Sequence, residues 1–124
     1  MMAFGLSTPA MAQSGKVYEL RTYTSAPGKL PELLARFQNH TTALFEKHGM
    51  KNVGYWVPTD AELSQNTLIY LLEHQSMDAA KKSWDGFRND PAWVKARNES
   101  EVNGKLTQKV VSVYLKATDF SKLR

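Results

Sequence analysis

Cysteine is absent from this chain. That excludes a disulfide scaffold, a cysteine nucleophile and thiolate metal sites, and leaves the redox character of its compartment open. Long apolar runs are absent as well. None approaches the ~20 residues that a membrane-spanning helix needs, so no membrane span is expected. The chain has no glycine-rich phosphate loop, no nucleophile elbow and no paired-carboxylate motif, so the chemistries that depend on them gain no support. A large excess of one sign of charge is lacking too. The net charge is +4 with acidic residues interspersed, which predicts only weak, non-specific attraction to polyanions and no nucleic-acid partner. The three histidines, His40, His48 and His74, fall on different predicted elements without ligand spacing, so no metal site and no cofactor are expected.

What is present fits one domain. A chain of 124 residues, 42% hydrophobic and 23% charged, is long enough for a single core and too short for two ordinary ones. Residues 1–15 carry no charge and include Ala10-Met11-Ala12, with small residues at the spacing that a signal peptidase requires, a pattern that points to export to the periplasm. A basic n-region is missing and the apolar part is short, which fits a truncated leader or an arm outside the fold of a cytoplasmic protein equally well. Residues 1–15 are therefore set apart from the domain, expected over 16–118, and residues 119–124 read as a tail.

Periodicity lays out the elements. Residues 17–24, VYELRTYT, alternate as a strand. Ala26-Pro27-Gly28 is a turn, and Leu30, Leu33, Leu34, Phe37, Leu44 and Phe45 recur at helical spacing, predicting a helix from about 29 to 47 that stops at Gly49. Residues 53–57 and 67–74 read as a hairpin across a polar loop. Ser76 is placed to cap a helix with Met77, Ala80, Trp84 and Phe87 on one face, and Asp90-Pro91 to open another. Residues 109–116 form the last strand. The order βαββαβ, with right-handed crossovers, predicts an α+β ferredoxin-like sandwich: a four-stranded antiparallel sheet, first and third strands central, helices on one face.

Two features of that sheet bear on function. Alternation places Glu19 and Arg21 on the same face of the central first strand, where two buried charges must pair or meet a wet cavity. They are expected to act as one electrostatic unit, more often structural than catalytic. Strands 67–74 and 109–116 are apolar on both faces, the pattern of strands buried on both sides. Helices cover only one face, so a second copy of the chain is expected against the other, giving a homodimer.

The motifs that carry a family resemblance are Tyr18-Glu19-Leu20-Arg21-Thr22-Tyr23, Pro27-Gly28-Lys29-Leu30, His48-Gly49 with Gly54-Tyr55-Trp56, residues 66–72, and Trp84 through Asp90-Pro91-Ala92-Trp93. Together they span about 16–118, and the chain resembles a NIPSNAP-domain protein of the dimeric α+β barrel superfamily. Residues 78–82 read DAAKK where that family often has an SLAxRE-like stretch, so no role resting on its arginine carries over. The resemblance implies a ferredoxin-like subunit in a barrel dimer. Related barrel families include cofactor-free monooxygenases, haem-using and dehydratase-like enzymes, and non-catalytic proteins.

The candidate ligand-binding residues are Glu19, Arg21, Tyr23, Tyr55, Tyr70, His74 and Tyr114. The tyrosines are expected mainly to pack, since aromatic strand residues mostly do. His48 is expected to be solvated at a helix end, His40 to lie on the surface and His74 to be exposed at a strand end, although His74 alone is placed to act as a base. Trp84, Phe87 and Trp93 are expected as helix packing. The expected function is binding of a small, partly apolar molecule in the barrel cavity. The alternatives are a cofactor-free monooxygenase-like enzyme using Arg21, Tyr23 and His74, and a non-catalytic protein-interaction module.

Overall fold

The computed structural model describes residues 15–124, so the processing site expected at 10–12 lies outside the described residues. The first strand, β1 (Val17–Ser25), ends at the 26–28 turn. Helix α1 then runs as α-helix over Leu30–Arg36, as a π-helical turn over Phe37–Thr41 and as α-helix again over Thr42–Lys47. Strand β2 (Lys51–Trp56), a short 3-10 turn (Leu63–Gln65) and strand β3 (Thr67–His74) form the hairpin. Helices α2 (Met77–Arg88) and α3 (Pro91–Ser100) lead to the last strand, β4 (Thr107–Leu115). The sheet order is β2-β3-β1-β4, every pairing antiparallel, with β1 and β3 central. This is the ferredoxin-like α+β sandwich that periodicity predicts.

The caps are those expected. Ser76 Oγ accepts from the Ala79 N–H at 3.0 Å and Asp90 Oδ1 accepts from Ala92 N–H at 2.9 Å, each satisfying an orphan first-turn donor. The interruption of α1 is not legible from apolar spacing. There, the Thr41 hydroxyl donates to the Arg36 carbonyl, and the Phe37 carbonyl takes both the Thr42 backbone N–H of the widened register and the Thr42 hydroxyl.

The core lies between the helices and one sheet face. Leu33, Phe37 and Phe45 of α1 meet Leu68, Tyr70 and Leu72 of β3 and Trp84 and Phe87 of α2. Phe45 sits 5.3 Å from the Trp84 ring and 4.9 Å from that of Phe87. Met77, expected in the same stripe, is instead exposed, because it stands at the first turn where α2 leaves the sheet. His48 departs from its expected solvated place. Its Nε2 lies 2.7 Å from Asp90 Oδ2, which also takes the Lys47 ammonium at 2.8 Å, so the end of α1 is tied to the start of α3. These bonds, with the Ala92 N–H, hold the Asp90 carboxyl well below the usual carboxylate range.

The sheet faces differ from expectation in one strand. On β3 the helix-facing Leu68, Tyr70 and Leu72 are buried, while Ile69 and Leu71 opposite are half-buried. On β4 nearly every residue is exposed on both faces, since it is the sheet edge and the helices stop short of it. The apolar pattern of β4 is thus not matched by burial within one chain.

Gly49 holds φ at +86° where α1 turns into β2. An added Cβ would meet only Ser83 Oγ at 3.5 Å, an ordinary contact, so the cost of a side chain comes from the backbone. Gly49→Ala is expected to lower stability by about 1–2 kcal/mol in urea unfolding with the m-value unchanged. A smaller loss would mean that the turn relaxes.

Candidate functional site

Register assembles the site. Across β1, Glu19 and Arg21 point toward the helices together with Tyr23. On the neighbouring strands their register partners are Leu72 and Tyr70 of β3 and Tyr114 and Ser112 of β4, with His74 opposite Val17. Glu19 is therefore diagonal to both His74 and Ser112, within side-chain reach. Trp84 comes down onto the same spot from α2.

The Glu19 carboxylate is 1% exposed and accepts four hydrogen bonds. Oε1 takes His74 Nε2–H and the Trp84 indole N–H, each at 2.8 Å. Oε2 takes Arg21 Nη1–H at 2.8 Å and the Ser112 hydroxyl at 2.6 Å. Burial by itself would raise its pKa, but the bonds from His74, Ser112, Trp84 and Arg21 outweigh it and bring the carboxyl down to about 2. Charge-assisted bonds to a carboxylate are the stronger kind, and four of them fill its acceptor capacity.

Arg21 is equally committed. Nε donates to the Tyr70 hydroxyl at 2.8 Å and Nη2 to the Tyr23 hydroxyl at 3.1 Å, while Tyr70 donates in turn to Tyr23 at 3.0 Å. Its guanidinium carbon lies 4.3 Å from the Trp84 ring centroid, a cation–π distance. Burial works against the charge of Arg21, but Tyr23, Tyr70 and Glu19 more than offset it, so its pKa is raised. Burial and the neighbouring Tyr23 push the Tyr70 hydroxyl well above its ordinary pKa, which keeps it a neutral donor and acceptor.

Five of the seven sequence candidates, Glu19, Arg21, Tyr23, Tyr70 and His74, thus form one hydrogen-bonded cluster. Tyr55 and Tyr114 flank it. Tyr55 stacks on Tyr70 with centroids 4.9 Å apart and turns its hydroxyl to Asn52; Tyr114 lies 5.9 Å from the His74 ring and is part-exposed. His74 is not the exposed strand-end histidine expected, because the end of β3 lies under α2. Its side chain is fully covered, its Nε2 is engaged by Glu19, and its Nδ1 is buried without a partner among the described residues. Sequence reasoning missed two members, Trp84 as a donor and Ser112. The available signals were a buried indole N–H, which needs an acceptor, and a lone serine within an apolar strand. Among the described residues no group of three or more His, Cys, Asp or Glu could hold a metal ion.

The NIPSNAP family profile matches residues 18–122. The chain belongs to the NIPSNAP family. Its structure superposes on a NIPSNAP family protein from Agrobacterium tumefaciens with a TM-score of 0.76 at 25% identity, over 88% of this chain and 99% of that one. An uncharacterized NIPSNAP-like domain protein from Burkholderia xenovorans aligns with a TM-score of 0.74 at 16% identity, over 87% and 90%. A cofactor-independent oxygenase from Streptomyces nogalater aligns more distantly, with a TM-score of 0.58 at 13% identity over 85% and 95%; this likeness is one of fold. No curated protein matches the chain.

Two outcomes follow from the cluster. Glu19→Gln, which strands the Arg21 cation and sets an amide NH2 against two of the four donors, is expected to cost about 3–5 kcal/mol, and the Glu19→Gln/Arg21→Met pair much less than the sum of the single losses. Additive losses below about 1 kcal/mol in chemical denaturation would mean that the charges act independently.

Acid should test the carboxylate directly. A carboxyl with a lowered folded pKa stabilises fully above its unfolded value and loses that contribution as pH falls through the folded one. For Glu19 the window runs from about 4.5 down to about 2, a contribution of roughly 3 kcal/mol. Urea midpoints between pH 6 and 2 are expected to fall more steeply for the native chain than for Glu19→Gln. Parallel curves would assign acid sensitivity to other carboxylates.

Proposed function

We propose that this NIPSNAP protein is a homodimer that binds a small, partly apolar molecule on the helix-facing side of β4, beside the Glu19 cluster. The observation that carries the reading is an abrupt step in coverage. Glu19 and Tyr23 on β1 are buried under the helices, yet their neighbours Val110, Ser112 and Tyr114 on the same face of β4 are exposed. A ledge with an apolar floor, a serine hydroxyl oxygen and a tyrosine hydroxyl therefore opens against a rigid polar wall made of Arg21 and Trp84. Few polar groups converging on an apolar surface is the usual make-up of a small-molecule site. Ser112 donates its proton to Glu19, so its oxygen is free to accept from a ligand hydroxyl or amine.

The dimer reading rests on the opposite face. Leu20, Ile69, Leu71, Val111, Val113 and Leu115 share it, and Val111, Val113 and Leu115 are each at least 40% exposed. A second copy packed sheet to sheet would remove this apolar surface from water. The enzyme reading has weaker support. His74, the base it needs, is covered and already engaged by Glu19, and general-base work requires reach to the substrate proton.

Native mass spectrometry of freshly purified protein tests both halves. Twice the subunit mass is expected, with a co-purified small molecule or saturable uptake of 1-naphthol that Val110→Trp, which fills the ledge, abolishes. A monomer overturns the sheet-to-sheet reading. Uptake unaffected by Val110→Trp, or absent altogether, overturns the ledge.

A further inference from the structure

Helix α2 overhangs the exposed edge strand, and the flank it turns that way is basic. Strands β3 and β4 both run antiparallel to β1, so they are parallel to each other, and α2, which follows β3, runs back against both. Its start stands at the His74–Tyr114 end, where those rings are 5.9 Å apart, and Arg88 closes it toward Val110. One flank of α2 meets the end of α1: a Cβ added at Gly86 would lie 2.8 Å from His48 Nδ1, and one at Gly49 lies 3.5 Å from Ser83 Oγ. Helix α1 in turn covers β2, where Asn52 donates to the Thr42 carbonyl at 2.9 Å. The flank of α2 away from α1, with Lys81, Trp84 and Arg88 at i, i+3 and i+7, is therefore the one beside β4. The Trp84 indole fits this direction. Its N–H reaches Glu19 at 2.8 Å, and it opposes the rise in the pKa of the Tyr114 hydroxyl that burial and Glu19 cause.

The charges on this flank are uncommitted. Glu19 and Arg21 balance each other in the wall of the ledge, so the field above β4 is set by what α2 adds. The ion pairs among the described residues take Lys16, Arg21, Lys29, Arg36 and Lys47 and leave Lys81 and Arg88 without one. Both are exposed. At 3.6 residues per turn Arg88 and Lys81 lie about 40° and 60° round the helix from Trp84, whereas Asp85 and Asp78 lie about 100° and 120° round, farther toward solvent. The Arg88 guanidinium carbon is 5.3 Å from the Trp84 ring centroid, a cation–π distance. Laid on a ring that is itself fixed by Glu19, this arginine loses less freedom on taking a ligand than a free surface side chain does.

Those positions define an occupant more closely. Val110 and Tyr114 offer part-exposed apolar area, which suits a ring. The fork of one guanidinium matches the two oxygens of a carboxylate, while a dianion such as phosphate would lose more hydration against the apolar floor. On the reading that the β4 ledge binds a small, partly apolar molecule, we propose that its ligand is an aromatic carboxylate, the ring seated on Val110 and Tyr114 and the carboxylate held by Arg88 with Lys81 beside it.

The test is calorimetric titration of the full chain with three probes of one shape: 1-naphthoate, 1-naphthol and 1-naphthylmethylammonium. Naphthoate is expected to bind about fivefold tighter than naphthol, the ammonium to bind more weakly than either, and about 0.5 M salt to narrow the gap between naphthoate and naphthol. Arg88 is exposed, so Arg88→Gln is expected to fold normally and to bring naphthoate down to the affinity of naphthol, with naphthol itself unchanged. Lys51→Gln, an exposed charge on the opposite edge strand β2, is expected to leave the ratio as it is. Equal affinity for naphthoate and naphthol, or a ratio that Arg88→Gln and Lys51→Gln alter alike, overturns the carboxylate assignment while the ledge stands on naphthol uptake that Val110→Trp abolishes. Naphthoate uptake that survives Val110→Trp puts the anion elsewhere and overturns it too. Uptake of neither probe removes the ledge and its ligand together.

Discussion

The carboxylate of Glu19 is the constraint on which the rest of this fold turns. A negative charge placed 1% exposed in the core costs several kcal/mol unless it is fully solvated by the protein itself. Its four donors come from four different places in the chain: β1 itself through Arg21, the end of β3 through His74, α2 through Trp84 and the edge strand through Ser112. One side chain thereby fixes the distance of α2 from the sheet and the register of three strands. A slip of β4 by one residue would turn Ser112 to the opposite face and put Val111 or Val113 against the carboxylate. Apolar packing alone would tolerate such a slip, because β4 is apolar on both sides; the buried charge does not.

The same arrangement explains why the aromatic residues are grouped as they are. Tyr23 and Tyr70 present rings to Phe37 at 5.5 and 5.1 Å and hydroxyls to Arg21, so each finishes the apolar core at one end and the polar cluster at the other. Trp84 does likewise, with its ring against Phe45 and Arg21 and its N–H on Glu19. These amphipathic rings form the boundary between two environments that would otherwise leave unsatisfied polar groups at their seam.

Much of this was legible in the sequence where a local rule governs. Strand alternation alone puts Glu19 and Arg21 on one face, and the cost of burying charge makes them a pair. The caps at Ser76 and Asp90 and the stop at Gly49 follow from residue type and position. What could not be read depends on pairing between distant segments. Ser112 joins the cluster only because β4 docks beside β1 with Ser112 opposite Arg21, and His74 is covered only because α2 folds back over the end of β3. The exposure of β4 on its helix-facing side could not be read for a related reason: an apolar strand does not record how far the helices of its own chain extend over it. The π-helical turn escaped because one extra residue leaves the apolar spacing on either side nearly intact.

The two buried arginines differ in how fully the chain pairs them. Arg21 has all three nitrogens engaged by side chains of its own chain, and its neighbours are strand residues held in a ladder on both sides. With no nitrogen left over, Arg21 has nothing further to offer without giving up a bond it already makes. Arg36 has one nitrogen engaged and sits where α1 departs from regular geometry, next to an open groove. Its Nε is sealed from solvent without a partner among the described residues, so the incomplete bonding there is a cost that the α1–α3 contact carries. In this molecule the buried charge that is complete organises the sheet and α2, and the buried charge that is incomplete ties α1 to the end of α3 while leaving one donor unmet.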